Sequence, residues 1–205
     1  MLEWVSDNGA ALSVASNFGM LIVWVVYLGT FLRQYRRQTQ PKIVINRAAG
    51  RSLDAECFIS NMSTEPIYVE AIIVSFETEG KCWSATVTDI VRRDGEDIPD
   101  DPRQRTRQGP MRSGDYMPVG SFNGLLERIV EESPDLEAID NDDFEKASLR
   151  VKILADYASE ELVIGAERVF DFAQDGSDWF LRSGTSTHQI RSRRQRRRAQ
   201  EQVLG

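Results

Sequence analysis

The chain has 205 residues, 41% of them hydrophobic and 28% charged, with a formal net charge of −7. That length holds one domain plus accessory segments and excludes two large domains. Two cysteines, Cys57 and Cys82, do not make a disulfide framework, and with a single histidine, His188, they leave little material for a zinc site or for His- and Cys-based catalysis.

Residues 1–9 form a short N-terminal segment whose only charged side chains are Glu3 and Asp7. Residues 10–32 (AALSVASNFGMLIVWVVYLGTFL) carry no charge. At ~1.5 Å rise per residue, such a run crosses a ~30 Å hydrocarbon core with some tilt to spare. Trp4 and Tyr35 bracket it where amphipathic aromatics favour the membrane interface. The far flank opens with RQYRRQTQPK, so residues 33–42 carry Arg33, Arg36, Arg37 and Lys42 against no acid. This one-sided charge predicts an N-terminus outside and residues 33–205 in the cytoplasm, anchored in an inner or plasma membrane. A cleaved signal peptide fits badly: it needs a basic start and small-residue cleavage signals where this chain has arginines. Within the span, Ala11, Ala15 and Gly19 recur every four residues. That spacing gives a face on which two helix backbones approach closely, for self-association or for a membrane-protein partner.

Residues 33–41 read as a basic juxtamembrane linker ended by Pro41, and residues 42–181 as the folded domain. Lys42–Asn46 is a short β-rich run. In 52–61, Leu53, Ala55, Cys57 and Ile59 alternate with polar residues, the pattern of a half-buried strand. NMSTEP is a turn cluster. Residues 67–78 (IYVEAIIVSFET) form the strongest strand, apolar on both faces at Ile72–Val74 and so central. Gly80 turns the chain into a partner strand over 82–91. Both cysteines fall in such runs, and in a reducing compartment they read as buried small hydrophobes. Residues 92–114 are rich in Gly, Pro and charge, and read as a long polar loop. Residues 116–122 are a weak strand, demoted by Pro118. Asn123 is placed to cap a helix with Leu125, Leu126, Ile129 and Val130 on one face, stopped at Pro134. Residues 149–157 and 162–172 form a second hairpin about the Ser159-Glu160-Glu161 turn.

The predicted architecture is mainly β: one transmembrane helix, then an antiparallel β-sandwich of general immunoglobulin-like type with one short helix, and a flexible Arg-rich tail over 182–205. The tail holds seven arginines against Glu201, which leaves residues 43–181 with a net charge of −15. An acidic body thus lies between basic flanks.

Catalytic signatures are missing from this sequence: it has no Walker A loop, GxGxxG, GxSxG or HExxH. The acidic clusters at 94–97, 100–101 and 140–143 lack EF-hand spacing and read as solvated loop charge. No metal, cofactor or small-molecule substrate is indicated. The most pointed feature is Arg191, Arg193, Arg194, Arg196, Arg197 and Arg198, because the guanidinium fork binds two phosphate oxygens at once. Anionic lipid ranks level with a solvated end that has no specific ligand. The acidic body or an acidic protein comes next. Nucleic acid comes last, since no aromatic interleaves for base stacking. The expected function is a non-catalytic, membrane-anchored interaction module serving another membrane protein or assembly. The alternative is a phosphate-binding protein whose Arg-rich tail takes anionic lipid or nucleic acid, with the sandwich as scaffold.

Overall fold

A computed structural model describes residues 9–38, 40–48, 50–78, 80–90, 100–101, 105–133, 144, 146–157, 162–175, 178–183 and 186–204. The chain divides into two units, Met1–Gln40 and Pro41–Gly205.

The first unit is one helix, α1 (Gly9–Gln38), with an 18-residue apolar window that is 0% buried. It is long and apolar enough to cross a membrane. Thr30 satisfies its own hydroxyl within the helix, donating to Val26 O at 3.1 Å and Tyr27 O at 2.8 Å, which removes the cost of a polar group among apolar neighbours. The helix continues past Leu32 to Gln38, so most of the basic segment expected as a linker is helical.

In the second unit, two antiparallel sheets share one core. The smaller has strand order β1 (Ile43–Ala48), β2 (Glu56–Asn61), β6 (Tyr116–Ser121). The larger is built on a central pair, β3 (Ile67–Thr78) and β7 (Ser148–Tyr157), with β8 (Ile164–Asp175) beside β7. Short strands divide each flank. β5 (Gly109–Met111) pairs with the first residues of β3 and β4 (Lys81–Thr86) with its last. In the same way β10 (His188–Ile190) and β9 (Asp178–Ser183) share the outer edge of β8. Period-2 alternation buries Ile43, Ile45, Cys57 and Ile59 from one sheet against Val74, Phe76, Leu149, Val151, Ile153 and Phe170 from the other.

Helix α2 (Phe122–Glu132) packs Phe122, Leu125 and Ile129 onto that core. Its cap is Ser121, whose Oγ accepts from Gly124 N at 3.1 Å, two residues ahead of the Asn123 expected from the sequence. The 92–114 segment is not a loop throughout, because its residues 109–111 form β5. Residues 91–99, the 140–143 cluster and the Ser159-Glu160-Glu161 turn lie outside the described residues.

The expectation of a flexible tail is corrected. Residues 178–183 and 188–190 are strands, and α3 (Arg193–Leu204) is a second helix of this unit. Ser192 caps it, accepting from Gln195 N at 3.2 Å, and Ala199 and Arg196 turn inward, 4% and 8% exposed. Arginine alone does not imply disorder when one small residue and one aliphatic Arg stem face apolar ground.

Asn61 is a buried polar junction. Its Nδ2 donates to Glu65 O and Met111 O, both at 3.0 Å, and its Oδ1 accepts from Ser63 N at 2.9 Å. The side chain ties the NMSTEP turn to the end of β5. Asn61→Ala leaves these buried backbone groups unpaired and is expected to cost about 2–3 kcal/mol in urea unfolding of the detergent-solubilised chain. A loss below about 0.5 kcal/mol would show that the junction is dispensable.

Candidate functional sites: the arginine helix and the sheet-edge cleft

The six sequence-predicted arginines separate into two groups. Arg196 faces the fold, where its Nε donates to Ile190 O at 3.4 Å. Arg191, Arg193, Arg194, Arg197 and Arg198 are exposed, and none forms an ion pair with a described residue. A helix with Arg196 and Ala199 inward carries Arg194 and Arg197 on the opposite side, with Arg198 exposed at the edge of the contact. The sequence reading named these residues but treated them as one flexible cluster. The missed signal was Ser192-x-x-Gln195, the S-x-x-Q pattern of a helix N-terminus, realised here with Ser192 Oγ donating to Gln195 Oε1 at 2.8 Å.

The ground under α3 is the outer face of the larger sheet, where Leu154, Ile190 and Ala199 form a separate apolar cluster with Ile73 against it. Gly165 makes the fit possible. A Cβ there would stand 2.9 Å from Ile153 O and from Leu154 Cδ2, and 3.0 Å from Ile190 Cδ1. A recess of about 200 Å³ at the seat's edge is lined by Lys152, Glu167, Gln195 and Arg198 among others.

Farther along the same face runs a charged belt. Arg150 grips Glu77 with two parallel hydrogen bonds, Nε to Oε1 at 2.8 Å and Nη2 to Oε2 at 2.9 Å, and reaches Glu167 at 3.4 Å. His188, placed by the sequence beside the tail, lies on β10 with Nδ1 3.9 Å from Glu167. Hydrogen bonding from Arg150 holds the Glu77 carboxyl below its ordinary value of 4.5. Cys57 is an inert core thiol, pushed up to about 12 by burial, while Cys82 is exposed, against the expectation that both are buried. Among the described residues no three His, Cys, Asp or Glu side chains gather as a metal-binding group.

A second feature was invisible in the sequence. A cleft of about 930 Å³ opens where β5 and β6 approach, lined by Tyr68, Arg107, Pro110, Met111, Tyr116 and Met117 among others. Met62, Tyr68 and Tyr116 are the large hydrophobics exposed outside α1 among the described residues, and two of the three line this cleft. Tyr116 stands on the Phe58 ring edge-to-face, centroids 6.3 Å apart. Arg107 Nη1 is held by Val87 O at 2.8 Å and Asp89 O at 3.3 Å. β5 and β6 each have one pairing partner and each carries a proline, Pro110 and Pro118, which blunts the free edge against strand addition.

Ala11, Ala15 and Gly19 lie on α1, exposed, and a Cβ built on Gly19 meets no heavy atom within 4 Å. No protein-family model matches the sequence, and neither a curated protein nor a solved structure does.

The Glu77–Arg150 pair sets an acid dependence. Because the folded Glu77 value is depressed, its stabilisation is present above 4.5 and is lost as pH falls through that lower folded value. Wild type should therefore exceed Glu77→Gln in urea midpoint at neutral pH, with the gap closing below pH 4.5. A gap that stays constant through acid would remove the ion pair from the account.

Proposed function

We propose that this chain is a membrane-anchored, non-catalytic interaction module. Its N-terminus lies outside, its domain is cytoplasmic, and that domain engages another membrane protein or assembly. The two sheets on one core support reading the domain as a β-sandwich of immunoglobulin-like general architecture.

The observation that carries the reading is the cleft between β5 and β6. Aromatic and sulfur side chains converge there, and among the described residues the other large exposed apolar groups belong to α1, Met62 apart. Tyrosines offer large contact area at small entropic cost, and an exposed pair beside an anchored guanidinium suits a polypeptide ligand. The occupant is a segment of the partner's cytoplasmic region that inserts apolar side chains, since the edge prolines oppose an added strand. Ala11, Ala15 and Gly19 supply a further contact within the membrane, to the same partner or to a second copy.

The test is co-purification in gentle detergent, with wild type compared against a Tyr68→Ala/Tyr116→Ala chain and a Gly19→Leu chain. Partner recovery should fall at least about tenfold when both tyrosines are truncated, as expected for anchors worth over 1 kcal/mol each. It should fall again with Gly19→Leu. Unchanged recovery from the tyrosine variant, or no stoichiometric partner for wild type, would overturn the reading.

A further inference from the structure

We infer that the exposed face of α3 is a contact for the anionic phosphates of a lipid bilayer surface, with Arg194 and Arg197 at its centre, Arg193 and Arg198 at its rim, and Arg191 just before the helix. Three observations carry this.

The first is the arginine face itself. Five guanidinium groups are exposed without an ion pair to any described residue, on a domain whose central sequence is strongly acidic. No acidic residue among those described pairs with them. The second is order. Capping by Ser192 and burial of Ala199 and Arg196 hold these side chains on one side of a docked helix, so binding does not require a disordered tail to fold. A contact built from several arginines at fixed spacing suits a dense layer of phosphates.

The third is position along the chain. Gln189, just before α3, accepts from Ile43 N at 3.0 Å through its side-chain oxygen and donates from Nε2 to Ile43 O. Thr187 does the same to Ile45, at 3.0 Å in each direction. The base of the arginine helix is thereby fastened to the first residues of β1. In the sequence, β1 follows the basic flank of Arg33, Arg36 and Arg37, the same kind of charge that the arginine helix carries. RNA offers the same phosphate chemistry, but no aromatic side chain interleaves with these arginines for its bases.

The inference rests on α1 spanning the bilayer and is independent of the cleft. The full chain is reconstituted in nanodiscs of phosphatidylcholine alone or of phosphatidylcholine with phosphatidylserine, and backbone hydrogen exchange is followed over residues 192–204. Incorporation into the neutral discs checks the membrane reading separately. Exchange in α3 should be at least about fivefold slower in the anionic discs, and the difference should disappear in about 0.5 M salt. An Arg194→Gln/Arg197→Gln/Arg198→Gln chain should match wild type in neutral discs, which shows an intact α3, and show no slowing in anionic ones. Equal exchange of wild type in both lipids would overturn the inference. So would slowing produced by added single-stranded RNA in neutral discs without any response to phosphatidylserine, which would assign the face to nucleic acid.

Discussion

A three-residue strand carries two layers of this domain at once. The backbone of β10 pairs with β8, aligning His188, Gln189 and Ile190 with Glu167, Ala166 and Gly165. Because side chains alternate along a strand, Thr187 and Gln189 turn to one side and His188 and Ile190 to the other. On the first side, the hydroxyl and the carboxamide take up the outward N–H and C=O groups of Ile45 and Ile43, which have no strand neighbour there. On the second, Ile190 joins Leu154 and Ala199 to seat α3. An edge of β1 that would otherwise stand open is closed by side chains, and the same residues fix where the arginine helix begins. Two further bonds tie the layers together: Arg168 Nη1 to Ile45 O at 2.7 Å and Arg47 Nη1 to Leu181 O.

This clasp explains which parts of the fold were legible in the sequence. Strands such as β3 and β7 announce themselves through long alternation, because each lies over the core along most of its length. β6 was readable too, and Pro118 indicated its place at an edge. The segments that escaped do not bury a periodic apolar face. β5 is Gly-Pro-Met, and β10 is His-Gln-Ile, a strand whose inward groups are amide and hydroxyl. α3 meets the sheet through Ala199 and Arg196, a footprint too small and too polar to register as hydrophobic periodicity. Its cap at Ser192 was the readable signal. The cleft was illegible for a different reason: Tyr68 and Tyr116 are 48 positions apart, and only the packing of β2 with β6 and of β3 with β5 brings their strands to a common rim.

The arrangement also limits how function should be probed. Removing the last residues as a dispensable tail would take Gln189, Ile190 and α3 with it. The outer edge of β1 would open and the apolar ground at Leu154 would be exposed. Loss of activity after such a deletion would report on the fold. Charge-neutralising substitutions on the outward side of α3 separate the two questions, since Arg194 and Arg197 face away from the seat formed by Ala199 and Arg196, and Arg198 lies at its exposed edge. The cleft and the arginine face are likewise separable, one presenting apolar and aromatic groups and the other positive charge.

Everything proposed for α3 depends on the clasp being closed, and amide exchange at β1 tests that most directly. In the full chain in neutral nanodiscs, the outward amides of Ile43 and Ile45 should exchange as slowly as the β1 amides bonded to β2. A Thr187→Val/Gln189→Leu chain should release those two while leaving their neighbours protected. Rapid exchange of Ile43 and Ile45 in the unaltered chain would contradict the account, because it would mean that the edge is open and α3 is not fastened to β1.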